Sequence, residues 1–278
     1  MAFVNDYKIM DVFNAIDVHT GEMLIPARIY VGGSFDGGKP DYGQCMQRVI
    51  NTDELSYLYK IPDPRMDWPQ APGYGYHDNS DEVGYIISGT FDITYPDGKK
   101  DHIGPGNAYH ISKGQGYRFE GADDNLGAAY AVFYSKKVQA VSSKPFESGE
   151  IKDGHEVKFV PDIAKKSDAP KGIQMALISA SDDVVLYDVV VKPGTVYPEK
   201  GYMTNNCTQI IVVVSGSGTG IYPDKDYSFV KETAAYHKAG QPYKYANTGS
   251  EDLHMLVAFN AKDEKTISSK AVEITDFV

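Results

Sequence analysis

The chain has 278 residues, 42% of them hydrophobic, and a formal net charge of -11. An acid excess of that size repels nucleic-acid phosphates and anionic lipid, so the expected partner is a small molecule, with no nucleic acid and no membrane. Two cysteines, Cys45 and Cys207, are too few for a disulfide framework and match no zinc spacing, though one bridge between them stays open.

The opening Met1-Ala2-Phe3-Val4-Asn5-Asp6 lacks the basic and apolar regions of a signal peptide, and no run reaches membrane-spanning length, so the expected location is cytoplasmic. Residues 1–50 mix short apolar runs with Gly32-Gly33 and Gly37-Gly38 turns, as an N-terminal arm laid on a larger body would, and offer a contact for a homodimer. His19 in this arm reads as a surface or hydrogen-bonding residue. Ser56 to Ile61 reads as a strand. The proline-broken loop Pro62 to Pro69 follows, with Trp68 set either to line a pocket mouth or to cap a core.

The stretch Gly75-Tyr76-His77-Asp78-Asn79-Ser80-Asp81-Glu82 then places a histidine and a carboxylate just before an apolar strand that ends at Ser88-Gly89-Thr90. From Tyr85 to Tyr134 short β runs alternate with Gly, Pro and Asn turns at the spacing of a sandwich or barrel. Residues 141–171 are richer in Lys, Ser, Asp and Pro and read as a connection. The expected division is an arm over 1–50, a β unit over 51–140, the connection, and a second β unit over 172–278.

An internal repeat relates the two units. Glu82 precedes Gly89 by seven residues, as Gln209 precedes Gly216; Tyr95-Pro96-Asp97 recurs as Tyr222-Pro223-Asp224, and Ala108-Tyr109-His110 as Ala235-Tyr236-His237. Gly114-Gln115-Gly116-Tyr117 recurs as Gly240-Gln241-Pro242-Tyr243 and Ala131-Val132-Phe133 as Val257-Ala258-Phe259. Shared order on this scale marks a duplicated all-β unit.

These motifs resemble the cupin superfamily, and the duplication resembles a bicupin. His77, four residues, Glu82, six residues and Gly89 match the later part of the first cupin motif, with Gly75 where its first histidine would stand. The turn Gly104-Pro105-Gly106-Asn107 resembles the start of the second motif, but Tyr117 replaces its closing histidine. The resemblance implies two double-stranded β-helix (jelly-roll) barrels in tandem, with a site inside the barrel mouth and degenerate metal-ligand positions.

In the first barrel the implied site is His77, Glu82 and Tyr117. The cofactor expectation is either none or one divalent metal (Fe, Mn, Ni or Zn) held by His77 and Glu82, and the ligand count favours none. His110 would add a nitrogen if its strand turns it inward. Without a metal, Glu82 in an apolar barrel is expected to have a raised pKa and to shuttle a proton, with His77 as partner and Tyr117 as oxyanion donor. In the second barrel Tyr202 and Thr204 stand at the histidine positions, with Gln209 for the glutamate and Tyr243 for the last histidine, a set that binds divalent metals poorly and reads as either structural or holding an uncharged ligand. Cys207 reads as a buried inert thiol, His102 and His155 as solvated, His237 and His254 as framework residues.

The leading function is therefore binding of a small polar or phenolic molecule in the first barrel, with isomerase or lyase chemistry by proton transfer. The alternatives are a non-catalytic ligand-binding or structural bicupin and, with a metal, a dioxygenase.

Overall fold

Short β-branched and aromatic runs, cut every few residues by Gly, Pro, Asn or Asp, favour strands joined by tight turns. The computed structural model describes residues 6–23, 29–31, 35–36, 39–40, 44–69, 71–121, 128–137, 142–151 and 153–273, and within them strands dominate, with only short 3-10 turns as helix. None of these helices is long and apolar enough to cross a membrane.

The chain forms two units, Ile25–Asp162, and Met1–Leu24 together with Ile163–Val278. In the first, a seven-stranded antiparallel sheet runs in the order His155–Phe159, Asn107–Ile111, Glu82–Ser88, Ala129–Tyr134, Ser56–Pro62, Gln44–Asn51, Ile29–Val31. A four-stranded sheet of Lys100–Ile103, Phe91–Thr94, Arg118–Gly121 and Asp67–Trp68 completes it. The core draws on both sheets, with Leu58, Ile86, Tyr109 and Tyr130 from the larger and Phe91, Ile93 and Phe119 from the smaller. Trp68 packs against this core.

The second unit repeats the plan. Its seven-stranded sheet runs Ile173–Ser181, Val184–Val191, Leu253–Asn260, Gln209–Ser215, Thr233–His237, Tyr7–Asp11, Ile16–Asp17, beside a four-stranded sheet of Val196–Tyr197, Lys244–Ala246, Ser217–Ile221 and Asp226–Val230. Each unit is a jelly-roll barrel, so the fold is all-β, two double-stranded β-helices in tandem. The motif glycines Gly89 and Gly216, at φ of 75° and 81°, close equivalent turns that an L side chain would strain.

The expected boundaries move. Residues 1–50 are not one arm. Tyr7–Asp11 pairs with Thr233–His237 as a strand of the C-terminal unit, whereas Gln44–Asn51 pairs with Ser56–Pro62 in the N-terminal one. The connection 141–171 is also largely structured, since Ser142–Lys144 pairs with Tyr74–Tyr76 and His155–Phe159 with Asn107–Ile111. The physical reason is edge protection: an unpaired outer strand is an aggregation site. Each unit covers the same edge, one with the strand His155–Phe159 and the other with the chain's beginning. Equivalent rings dock there, Tyr7 stacking on Tyr222 at 4.2 Å and His155 on Tyr95 at 3.5 Å between centroids. His155 is thus a packing residue and not a solvated one.

Candidate functional site

Glu82 begins the strand Glu82–Ser88, and the two-residue alternation turns Glu82, Gly84 and Ile86 into the barrel. Gly84 pairs with Tyr109, and the absence of a side chain is what lets that ring lie across the strand: a Cβ at Gly84 would stand 2.2 Å from Tyr109 Cε1. Tyr109 then donates to Glu82 Oε1 at 2.7 Å. The other oxygen, Oε2, accepts from Tyr134 at 2.6 Å and from Tyr117 at 3.2 Å, with His77 Nε2 at 3.1 Å.

Lys60 completes the cluster. Its strand pairs it with Tyr130, and its ammonium lies 3.6 Å from Glu82 Oε2, 3.4 Å from the Tyr134 hydroxyl and 5.4 Å from the centroid of the Tyr130 ring. Lys60 is 3% exposed, His77 4% and Glu82 0%. His77 and Tyr117 are brought in by the bridge between Gly75 and Tyr117, and Tyr130 is itself held by a hydrogen bond to Gln44.

Burial alone would raise the Glu82 carboxyl, but the Lys60 charge and the contacts from His77 and Tyr109 outweigh it and hold it well below the usual carboxylate range. This corrects the expected raised pKa: Glu82 is an ionised carboxylate ringed by donors. Burial pushes the Lys60 amine down against the pull of Glu82. Burial and the Glu82 charge push Tyr109, Tyr117 and Tyr134 far up, so all three remain hydrogen-bond donors.

A divalent metal does not fit this donor set. Among the described residues no group of three or more His, Cys, Asp or Glu side chains gathers, so His77 and Glu82 lack a third strong ligand. The Glu82 oxygens are already taken by three phenols, and a buried ammonium already faces them. His110 does not supply the missing nitrogen. Its register opposite Val83 turns it out of the barrel, where Nε2 lies 2.7 Å from Asp81 Oδ2.

The strand registers also correct the repeat. Glu82 pairs with Ile111 and Gln209 with His237, so His237 answers to Ile111 and not to His110. The match of Ala108-Tyr109-His110 to Ala235-Tyr236-His237 is one residue out of structural step, and such a slip exchanges the two faces of a strand. Likewise Met203 bridges Tyr243 as Gly75 bridges Tyr117, which puts Asn205, and not Thr204, where His77 stands. Asn205 Nδ2 donates to the Tyr243 hydroxyl at 3.1 Å, whereas Thr204 Oγ1 donates to the Lys270 carbonyl at 3.4 Å.

In the same register Lys60, Glu82, Tyr109 and Tyr134 become Val189, Gln209, Ala235 and Phe259. Both charges disappear together, and this interior holds a cavity of about 90 Å³. Its walls include Val189, Met203, Ile211, Val257 and Phe259, with Gln209 and Tyr243 as polar groups. His237 braces those two. Its Nδ1 lies 3.0 Å from Gln209 Oε1, Nε2 accepts from Tyr222 at 2.7 Å, and its ring stacks on Tyr243 at 4.4 Å. Burial pushes His237 down to about 3, so the imidazole is neutral, with the proton on Nδ1. Burial likewise lifts the Tyr243 phenol to about 12 and the Cys207 thiol to about 11, so neither ionises. Cys45 and Cys207 are free thiols.

Lys60, Tyr109, Tyr134 and Asn205 were not legible as site residues from the motifs. One signal existed: in Ser56-Tyr57-Leu58-Tyr59-Lys60, alternation puts Lys60 on the face of Leu58, and a lysine on a core face calls for a buried partner.

No family model matches the chain, and no curated protein matches it in sequence. Solved structures do match in fold. A Pseudomonas aeruginosa protein described as glyoxylate-induced is 14% identical with a TM-score of 0.66, over 94% of this chain and 91% of that one. Bacillus subtilis oxalate decarboxylase, a protein with Mn(II) centres, is 10% identical with a TM-score of 0.60, over 98% and 81%. Vicilin from hazelnut, Corylus avellana, is 12% identical with a TM-score of 0.57, over 82% and 83%. The shared architecture is the bicupin fold, which here carries neutral side chains at the site positions of one barrel and an internal ion pair in the other.

Proposed function

We propose that this chain is a bicupin that binds a small, uncharged, largely apolar molecule in its C-terminal barrel, the non-catalytic alternative raised by its sequence. The observation that carries the reading is the cavity of about 90 Å³ over Gln209 and Tyr243, roughly six times the space one water molecule needs. Apolar walls with a few polar groups suit a small organic ligand. The Tyr243 oxygen already accepts from Asn205, so its O–H is left to donate to a carbonyl, ester or hydroxyl oxygen on the ligand.

The test is ligand-observed NMR with a panel of small ketones, esters and phenols, together with mass spectrometry of the organic extract of purified protein. Val257→Phe fills the cavity and is expected to abolish binding, and Gln209→Leu to weaken it. Binding that survives Val257→Phe, or that is lost in His77→Ala of the other barrel, sinks the reading.

A second reading, an isomerase or lyase acting by proton transfer at His77, Glu82 and Tyr117, is favoured by one observation: a histidine, a carboxylate, a lysine and three phenols converge in the N-terminal barrel. The depressed Glu82 works against it, because a carboxylate so strongly ionised is a poor base near neutral pH. Turnover of a carbonyl substrate that disappears in both His77→Ala and Glu82→Gln would restore it to first place. The dioxygenase alternative needs a ligand set that these residues do not provide.

A further inference from the structure

We infer that Lys60 is the fixed cation of the N-terminal barrel: it occupies the electrostatic role of a divalent metal beside His77 and Glu82, and it keeps such a metal out. This concerns the barrel that the proposed binding function does not use, and it stands independently of that function.

Three observations carry it. First, the Lys60 ammonium and Glu82 Oε2 are 3.6 Å apart, and with 3% and 0% exposure both are shielded from bulk water. A buried charge without a counter-charge is strongly unfavourable, so each of the two requires the other. Second, the lysine has a built seat, with the Tyr130 ring at 5.4 Å and the Tyr134 hydroxyl at 3.4 Å, and that hydroxyl in turn donates to Glu82 at 2.6 Å. Aromatic faces and hydroxyl oxygens attract a monocation, whereas neutral phenols are weak ligands for a dication. Third, the duplicated barrel serves as an internal control. Where Glu82 is replaced by Gln209, Lys60 is replaced by Val189, so the two charges are present together or absent together.

A dication beside Glu82 would face the ammonium across a few ångströms of weakly polarisable core, where like charges repel far more than in water. The consequence is a cupin barrel whose internal positive charge is covalently attached and cannot be chelated, exchanged or starved of supply.

The test uses the full chain, with manganese(II) and zinc(II) as probes, elemental analysis after dialysis, and Trp68 fluorescence to follow melting of the N-terminal unit. Wild type is expected to retain neither ion, and its melting temperature to respond to neither. Lys60→Leu leaves Glu82 to be neutralised from outside. It is expected to melt well below wild type. Glu82→Gln, which leaves the Lys60 charge without its partner, is expected to melt low as well.

The double variant Lys60→Leu/Glu82→Gln, which copies the neutral pairing of the other barrel, is expected to melt above both single variants. It carries the test if a single variant does not fold. Three results would overturn the inference: near-stoichiometric metal in wild type that is lost in His77→Ala; a Lys60→Leu protein that melts like wild type; or a double variant no more stable than the single ones.

Discussion

Lowering the pH should loosen the C-terminal unit through a single residue, His237. Its ordinary value is 6.5, and burial brings it to about 3 in the fold. The folded state therefore resists a proton that the unfolded chain accepts. The stability so conferred is complete above 6.5 and declines as pH falls toward 3, at about 1.4 kcal/mol per pH unit. Between about pH 7 and about pH 5 the loss is about 2 kcal/mol, with a ceiling of roughly 5 kcal/mol once the folded form also titrates. The geometry gives the cause. Nδ1 donates to Gln209 Oε1 at 3.0 Å and Nε2 accepts from Tyr222 at 2.7 Å, so a second proton would have to displace the Tyr222 hydroxyl proton at 1% exposure. The assay is hydrogen exchange read by mass spectrometry on peptides spanning Gln209–Ser215 and Thr233–His237, corrected for intrinsic exchange, in wild type and His237→Phe. The variant keeps a ring for stacking on Tyr243 and loses both hydrogen bonds, a cost of about 1–3 kcal/mol at every pH. Its protection should start lower and change less with pH. Equal pH slopes in the two proteins would refute the argument.

Two further outcomes follow from the packing. Gly84→Ala drives a methyl group into the Tyr109 ring, with 2.2 Å between Cβ and Cε1, and should cost about 1–3 kcal/mol; Tyr109→Ala in the same chain should recover part of it, read by Trp68 fluorescence on heating. A chain that begins after Asp17 lacks the strand that pairs with Thr233–His237. It should lose exchange protection in the C-terminal unit, keep it over residues 44–121, and aggregate through the uncovered edge; intact protection at Thr233–His237 would count against the strand's role.

The duplication, the all-β class and the tandem barrels were legible because turn glycines and alternating runs recur in order, and those local signals need no tertiary knowledge. The convergence of His77, Glu82 and Tyr117 was carried by motif spacing. What was not legible depends on register. Ala108-Tyr109-His110 and Ala235-Tyr236-His237 look equivalent as text, yet Tyr109 and His237 point inward while His110 and Tyr236 do not, because the central pairing differs by one residue. The direction of the Glu82 shift was likewise hidden, since it depends on Lys60, 22 positions earlier on a strand that is not a direct neighbour of Glu82–Ser88 in the sheet. The early strand Tyr7–Asp11 escaped for the same reason: its partner lies more than two hundred residues away.

The two barrels solve one problem in opposite ways. A jelly-roll interior wide enough for a ligand must be filled by side chains, by a cofactor or by a guest, because empty apolar volume forfeits packing energy. The N-terminal barrel has a carboxylate inside, and a buried carboxylate calls for a counter-charge, which Lys60 supplies. The C-terminal barrel drops both charges and replaces Tyr109 and Tyr134 with Ala235 and Phe259, so its hydrogen-bonding demand falls. A neutral interior asks less of an incoming uncharged molecule than one built around a buried ion pair, and this is the physical reason for the proposal of a ligand over Gln209 and Tyr243 and not beside Glu82.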